Sequence, residues 1–239
     1  MELTKHTVNQ KYSDYIQPTN QNLYKLINER LKYFDPLWPT KKILDFGCNN
    51  GNLLRSSQGI IEQKNYTGID VQVRPLEIAK REFPFADWIL YNGYHPAFNS
   101  TGSENLHIEN KFDIIFCIGV FTHCDIKQIK SILNVLRNHL NPNGYIIFSI
   151  WEDFHFIRYC NIFLRYVLEI KVPENVYQNF SNSIYLIDRC YSIVDTKTLP
   201  INSCDWMETF YTRKFLETEL GSIDYLDGPH SLHSIFLTK

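Results

Sequence analysis

Residues 43–55, ILDFGCNNGNLLR, decide the fold. An apolar run ends at Phe46, a turn of Gly and Asn follows, and Leu53 and Leu54 open an amphipathic segment. That order reads as a buried strand, a tight loop and a helix start. Open α/β sheets present ligands at such a place, outside the carboxyl end of a strand. A dinucleotide fingerprint in this register needs glycine at 47, 49 and 52. Gly47 meets it, but positions 49 and 52 are asparagine and Gly51 stands off the register. Asp45 projects from the strand end into the loop, where its charge repels a pyrophosphate and attracts an ammonium or sulfonium group.

Outward from that stretch the alternation persists. KILDF, NYTGIDV, DWILYNG, KFDIIFCIGV and YIIFSIW read as five strands. Between them GNLLRSSQGII, RPLEIAKREF and DIKQIKSILNVLRNHL read as helices, with Pro75 in the first turn of the second. NPNG, residues 141–144, reads as a turn. Ahead of them, NQNLYKLINERLKYF places Leu23, Leu26, Ile27, Leu31 and Phe34 on one helical face, with Asn20 as N-cap. At the other end TRKFLETEL predicts a helix, and SIDYLD and SLHSIFLT two closing strands joined around GPH. This is an α/β chain with a doubly wound, mostly parallel sheet of seven strands. Residues 152–205 break the rhythm and are rich in aromatics, so they are expected to form a cap inserted after strand 5. We expect one domain over 1–239, with an arm over 1–19 whose Tyr12 and Tyr15 are candidates to close over the site.

Composition bounds the function. The chain has 239 residues, 44% hydrophobic and 21% charged, enough for a sizeable core. Its formal charge is −2 with basic residues scattered, which argues against nucleic acid as partner. No pair of the six cysteines has CxxC spacing, so reduced thiols in a cytoplasmic protein are expected. The first residues lack the apolar run of a signal peptide. Residues 154–170 are apolar but broken by Arg158, Arg165 and Glu169, a poor membrane span. No metal is expected, because His and acidic residues show no ligand spacing.

A second acid completes the ligand reading. Asp70 ends the second strand, 19 residues after Gly51 (70 − 51). A carboxylate there can accept from both ribose hydroxyls. The ligand so described has a ribose without a phosphate and positive charge near the glycine loop. S-adenosylmethionine meets that description and NAD does not.

At this point the chain resembles the class I S-adenosylmethionine-dependent methyltransferases of the small-molecule type, a Rossmann-like family. LDFGCNNG is similar to the family's first motif, DxGCGxG, and GID to its second-strand acid. FDIIFCIGVFTHC resembles the fourth strand, and LNPNGYIIFSI the LxPGGxLxxS element. Asn49 stands where the family has a second glycine; asparagine also tolerates a left-handed turn. The resemblance implies a cofactor site of Asp45, Gly47, Asn49, Gly51 and Asp70. Asn92 takes the place of the acid or amide near the adenine amine. Val71 is either core or an adenine contact. Gly119 serves either close approach to the methionine portion or strand packing. Past strands 5 and 4, His155 and His123 are the candidate bases, since imidazole suits proton removal near neutral pH. His123 is equally readable as a cofactor-side wall or a structural donor. Glu152, Asp153 and His155 otherwise open a solvated helix. The expected activity is methyl transfer to an O or N atom of a small, aromatic or apolar molecule, with a secondary metabolite as one class. The alternatives are a protein methyltransferase and a non-catalytic cofactor-binding homologue.

Overall fold

The computed structural model describes residues 24–93, 99, 101–103, 106, 108–155, 183–187, 190–193, 207–227 and 234–239; of 183–187, 190–193, 207 and 208 it describes the backbone. The arm over 1–19, Asn20, Leu23 and most of 152–205 lie outside the described residues.

Helix α1 covers residues 24–34. Tyr24, Ile27, Asn28 and Leu31 recur at helical spacing and are buried. Phe34, expected on that face, is 49% exposed. The helix ends there, and the turn through Pro36 carries Trp38 into the core instead, where it lies edge-on to Phe116 at 6.0 Å between ring centroids.

The rest follows the predicted alternation: β1 (Ile43–Phe46), α2 (Asn52–Ser56), β2 (Tyr66–Asp70), α3 (Val73–Glu82), β3 (Asp87–Leu90), β4 (Phe112–Cys117), α4 (Ile126–Arg137) and β5 (Leu140–Glu152). Helix α2 is much shorter than GNLLRSSQGII suggested. Gln58 and Gly59 both take positive φ, which ends it. Strands β1 and β2 are buried along their whole length, as strands covered on both faces must be. A capping box opens α4: Asp125 accepts from the Gln128 backbone N–H at 2.7 Å, and the Gln128 side chain accepts from Asp125 N–H at 2.9 Å.

Strands β6 (Ser183–Ile187), β7 (Cys190–Ile193) and β8 (Met207–Tyr211) come next, then α5 (Arg213–Leu220), β9 (Asp224–Asp227) and β10 (Ser234–Thr238). Strands β1 to β5 pair in parallel in the order β3-β2-β1-β4-β5. Antiparallel β10 joins the far side of β5 and pairs with β9, so the closing strands form the expected antiparallel pair. This is the seven-stranded sheet predicted. One core lies beneath α4 and α5, the other beneath α1 and α2.

Two features differ from the sequence expectation. NPNG does not separate α4 from β5 but bulges within β5: Leu140 pairs with Phe112 and Tyr145 with Ile114, and Asn143 sits at φ +66°. Strand β5 also outruns its neighbours. Its last residues Trp151 and Glu152 pair in parallel with Phe210 and Tyr211 of β8, and β8 carries β6 and β7. A small antiparallel extension thus hangs from the carboxyl end of β5, and β6 and β7 fall within the stretch that breaks the rhythm.

Candidate cofactor and acceptor site

Three residues of the first loop take left-handed backbone at alternate positions: Gly47 at φ +82°, Asn49 at φ +51° and Gly51 at φ +80°. The loop folds back over the end of β2. The N–H groups of Gly47 and Cys48 both donate to the Ile69 carbonyl, at 2.8 and 3.0 Å, and Asn49 N–H donates to the Asp70 carboxylate at 2.7 Å. Gly47 is required twice over, by its φ and because a Cβ there would lie 2.4 Å from Val120 Cγ2. Asn49 supplies the left-handed turn expected of it.

The two acids sit on either side of this loop. Asp70 accepts from Asn49 N–H on one oxygen and from Gln72 N–H, at 2.9 Å, on the other. With Val71 N–H also acting on the carboxylate, at least one lone pair remains to accept from a hydroxyl. Burial raises its pKa, and the backbone donors pull it back down. Asp45 is 4% exposed and accepts a short hydrogen bond from the Tyr66 hydroxyl. Burial pushes its carboxyl up to about 7; the tyrosine bond works against that rise and the Asp70 charge adds to it. Sequence reasoning missed Tyr66. Asp45 pairs with Gly68, so Tyr66 is a diagonal neighbour on the next strand. Strand alternation places it there once the β1–β2 register is known.

Beside Asp45 lies a cavity of about 70 Å³, lined by Tyr24, Ile27, Asp45, Gly47, Leu53 and Ile118 among others, none of them basic. Its lining joins α1, the loop after β1, α2 and Ile118 past β4, next to the point where the strand order reverses direction. The Tyr24 hydroxyl is buried without a hydrogen-bond partner.

The remaining predicted residues stand along the same edge of the sheet. Val71 follows Asp70 and is half-buried. Asn92 is exposed after β3, and its side-chain oxygen accepts from Asn99 Nδ2 at 3.1 Å. Gly119 has φ +73° and donates its N–H to Ser149 Oγ at 2.8 Å. A Cβ there would meet no atom within 4 Å, so its dihedral calls for glycine and side-chain packing does not. His123 is buried in the short turn Phe121–His123 that follows β4. His155 is buried past β5, and its Nδ1 accepts from Glu152 N–H at 3.0 Å. The neutral ring that makes this bond carries its proton on Nε2. Glu152 is buried rather than solvated, accepts from the Ser234 hydroxyl, and is raised in pKa by that burial. Asp153 alone of this trio is exposed.

Asp45, Gly47, Asn49, Gly51 and Asp70 are thus brought together, while Asn92, His123 and His155 stand at the ends of β3, β4 and β5. The donor set fits S-adenosylmethionine: acids for ribose and for positive charge, a glycine loop for close approach, and no basic residue in the cavity lining, Arg55 on the α2 side of the loop being engaged by Asn50 and Glu82. Among the described residues no group of His, Cys, Asp and Glu is arranged to hold a metal ion. No described helix is long and apolar enough to cross a membrane.

Comparison with known proteins agrees with this geometry. Residues 44–146 match a family model described as a methyltransferase domain. The chain is 32% identical over 123 residues to a ubiquinone biosynthesis O-methyltransferase of Pasteurella multocida, covering 46% of each chain. It is 31% identical over 150 residues to a tRNA U34 carboxymethyltransferase of Campylobacter curvus, covering 62% of this chain and 43% of that one. The chain therefore spans less than half the length of these curated relatives. In fold it is similar to an S-adenosylmethionine-dependent methyltransferase from Clostridium acetobutylicum, with TM-score 0.55 and 16% identity over 96% of this chain and 97% of that one. DesVI of Streptomyces venezuelae gives TM-score 0.53 and 14% identity over 99% and 98% of the two chains. Over residues 44–146 the chain is similar to methyltransferase domains, and its fold is that of the S-adenosylmethionine-dependent methyltransferases it resembles.

Proposed function

We propose that this chain transfers a methyl group from S-adenosylmethionine to an O or N atom of a small molecule. The observation that carries the reading is the pair of buried acids, Asp45 and Asp70, flanking a loop whose cavity has no basic residue. When bound, the cofactor supplies a methyl carbon open to in-line displacement. The chain's own residues then divide the remaining tasks. Asp70 takes the ribose hydroxyls, and Asp45 faces the positive end. Val71 and Asn92 border the adenine, and Gly119 lets the backbone approach the methionine portion. The stretch over 152–205 selects the acceptor, and positioning of the acceptor atom supplies most of the acceleration.

Acceptor deprotonation falls to His123 or His155 in this reading. His155 enters it as an Nε2–H donor, so it serves first to orient an acceptor oxygen, and it removes a proton only after releasing Glu152 N–H. The two curated relatives differ in the acceptors that their names give, a quinone precursor pathway in one and a tRNA in the other. Shared sequence therefore speaks for the cofactor half. The net charge of −2 without a basic run favours a small molecule over tRNA.

Calorimetry with S-adenosylhomocysteine and with NAD tests the cofactor, and labelled-methyl transfer to a panel of phenols and amines tests the acceptor. We expect S-adenosylhomocysteine to bind and NAD not to. Binding of NAD alone would overturn the reading.

A further inference from the structure

We infer that the Tyr24 hydroxyl closes the subsite for the amino-acid end of the cofactor, accepting from its ammonium group beside Asp45. This rests on the cofactor reading above and adds a residue from outside every motif that led to it.

The argument begins with an unsatisfied atom. Tyr24 is 6% exposed, and its hydroxyl has no hydrogen-bond partner. Native proteins leave very few buried polar groups in that condition, and each calls for a cause. Packing gives none. The ring tilts against Trp38 at 6.2 Å between centroids, a contact that phenylalanine would make equally well. One turn later on the same buried face of α1, the Asn28 side-chain oxygen is also unpartnered.

Position supplies the cause. Tyr24 lines the cavity that holds Asp45 and Gly47 on one wall and Ile118 on another. Its lining includes Ile118, just past β4, and not Asp70, which ends β2 on the opposite side of β1. A ligand whose ribose is held by Asp70 and which crosses the loop therefore delivers its far end here. The volume of about 70 Å³ exceeds what a single water needs, leaving room for an ammonium and the carbon that bears it. An ammonium brings three donors and no acceptor, and so needs several oxygens around it. Asp45 offers one carboxylate, already engaged by Tyr66. Asn52 and Ser56 also line the cavity, but the Tyr24 hydroxyl is the buried oxygen there that has no partner of its own. Burial raises its pKa to about 12, so it stays a neutral phenol.

Tyr24→Phe isolates the claim, because it removes the oxygen and leaves the ring. Two probes are compared by calorimetry: S-adenosylhomocysteine, which has the amino-acid end, and 5′-methylthioadenosine, which stops at the sulfur. We expect the variant to lose roughly tenfold to a hundredfold in affinity for the first and to change by less than about twofold for the second. The melting temperature of the free variant should be equal to or above that of the parent, since an unpaired buried hydroxyl has been removed. A residue with a merely structural hydrogen bond would shift the melt downwards. Unchanged affinity for S-adenosylhomocysteine, or an equal loss for both probes, overturns the inference. If the parent protein binds neither probe, the cofactor reading itself falls, and this inference with it.

Discussion

At the end of β1, Asp45 is buried with the Tyr66 hydroxyl as its donor, and this burial has a thermodynamic signature. Its carboxyl titrates near 7 in the folded chain, against an ordinary value of 3.8. Between those values the native state holds a proton that the unfolded state has released. Stability is therefore greatest at the acid end of this window and falls as pH rises through it. We expect the free protein to lose roughly 2–3 kcal/mol between pH 5 and pH 7.5 on this account. Urea unfolding of the parent and of Asp45→Asn at both pH values checks this. Burial raises Asp70 and Glu152 in the same direction, so the difference between the two proteins, and not the parent's slope, reports Asp45. An identical slope in Asp45→Asn would place the proton elsewhere. A bound ammonium reverses the logic by restoring the ionised form. At this scale the sequence was legible where a single turn sets the geometry, as in the left-handed backbone of Gly47, Asn49 and Gly51. Tyr66 and Tyr24 were not legible, because one depends on cross-strand register and the other on how α1 docks.

The glycine loop makes the same point for an element. Gly47 and Gly119 both hold positive φ, but they differ in surroundings: a Cβ at 47 would meet Val120 at 2.4 Å, and one at 119 would meet nothing within 4 Å. Gly119→Ala should then cost about 1–2 kcal/mol, the backbone penalty by itself. Gly47→Ala should cost more, and the excess should vanish when Val120→Ala is added. A double-mutant cycle followed by urea unfolding measures that coupling. Equal costs at the two glycines would show that the loop shifts to relieve the contact. Element types were readable because each strand and helix advertises its own period. Element ends were not. Helix α2 stops early at Gln58 and Gly59, and NPNG bulges inside β5, since pairing with β4 resumes at Tyr145. That pairing is a property of two segments, and neither sequence contains it alone.

For the molecule as a whole, the mostly parallel α/β class followed from rhythm, the strand order came from the structure, and the closing pair β9–β10 was visible in its two strand-like runs. The extension on β5 was not. Strand β8 finds its partner β5 far back along the chain, and Trp151 stacks on Phe210 with ring centroids 4.9 Å apart to seat β8 on the end of β5. In the function proposed above, this architecture separates two tasks: the first half of the sheet takes the cofactor, and the ends of β4 and β5 lie toward the extension. His123 and His155 stand at those two ends, beyond the cofactor loop. Truncating either to alanine should therefore leave affinity for S-adenosylhomocysteine nearly intact. If one of them is the base, methyl transfer to an acceptor found among the phenols and amines should slow about 10²–10⁴-fold. The pH dependence of kcat tells base from donor. A base loses activity as pH falls through the imidazole range, whereas an Nε2–H donor of the kind His155 presents does not. Wild-type rates in both variants would leave positioning as the chain's whole contribution. Loss of cofactor affinity in either variant would move that histidine to the cofactor wall and shift the acceptor site away from that strand end.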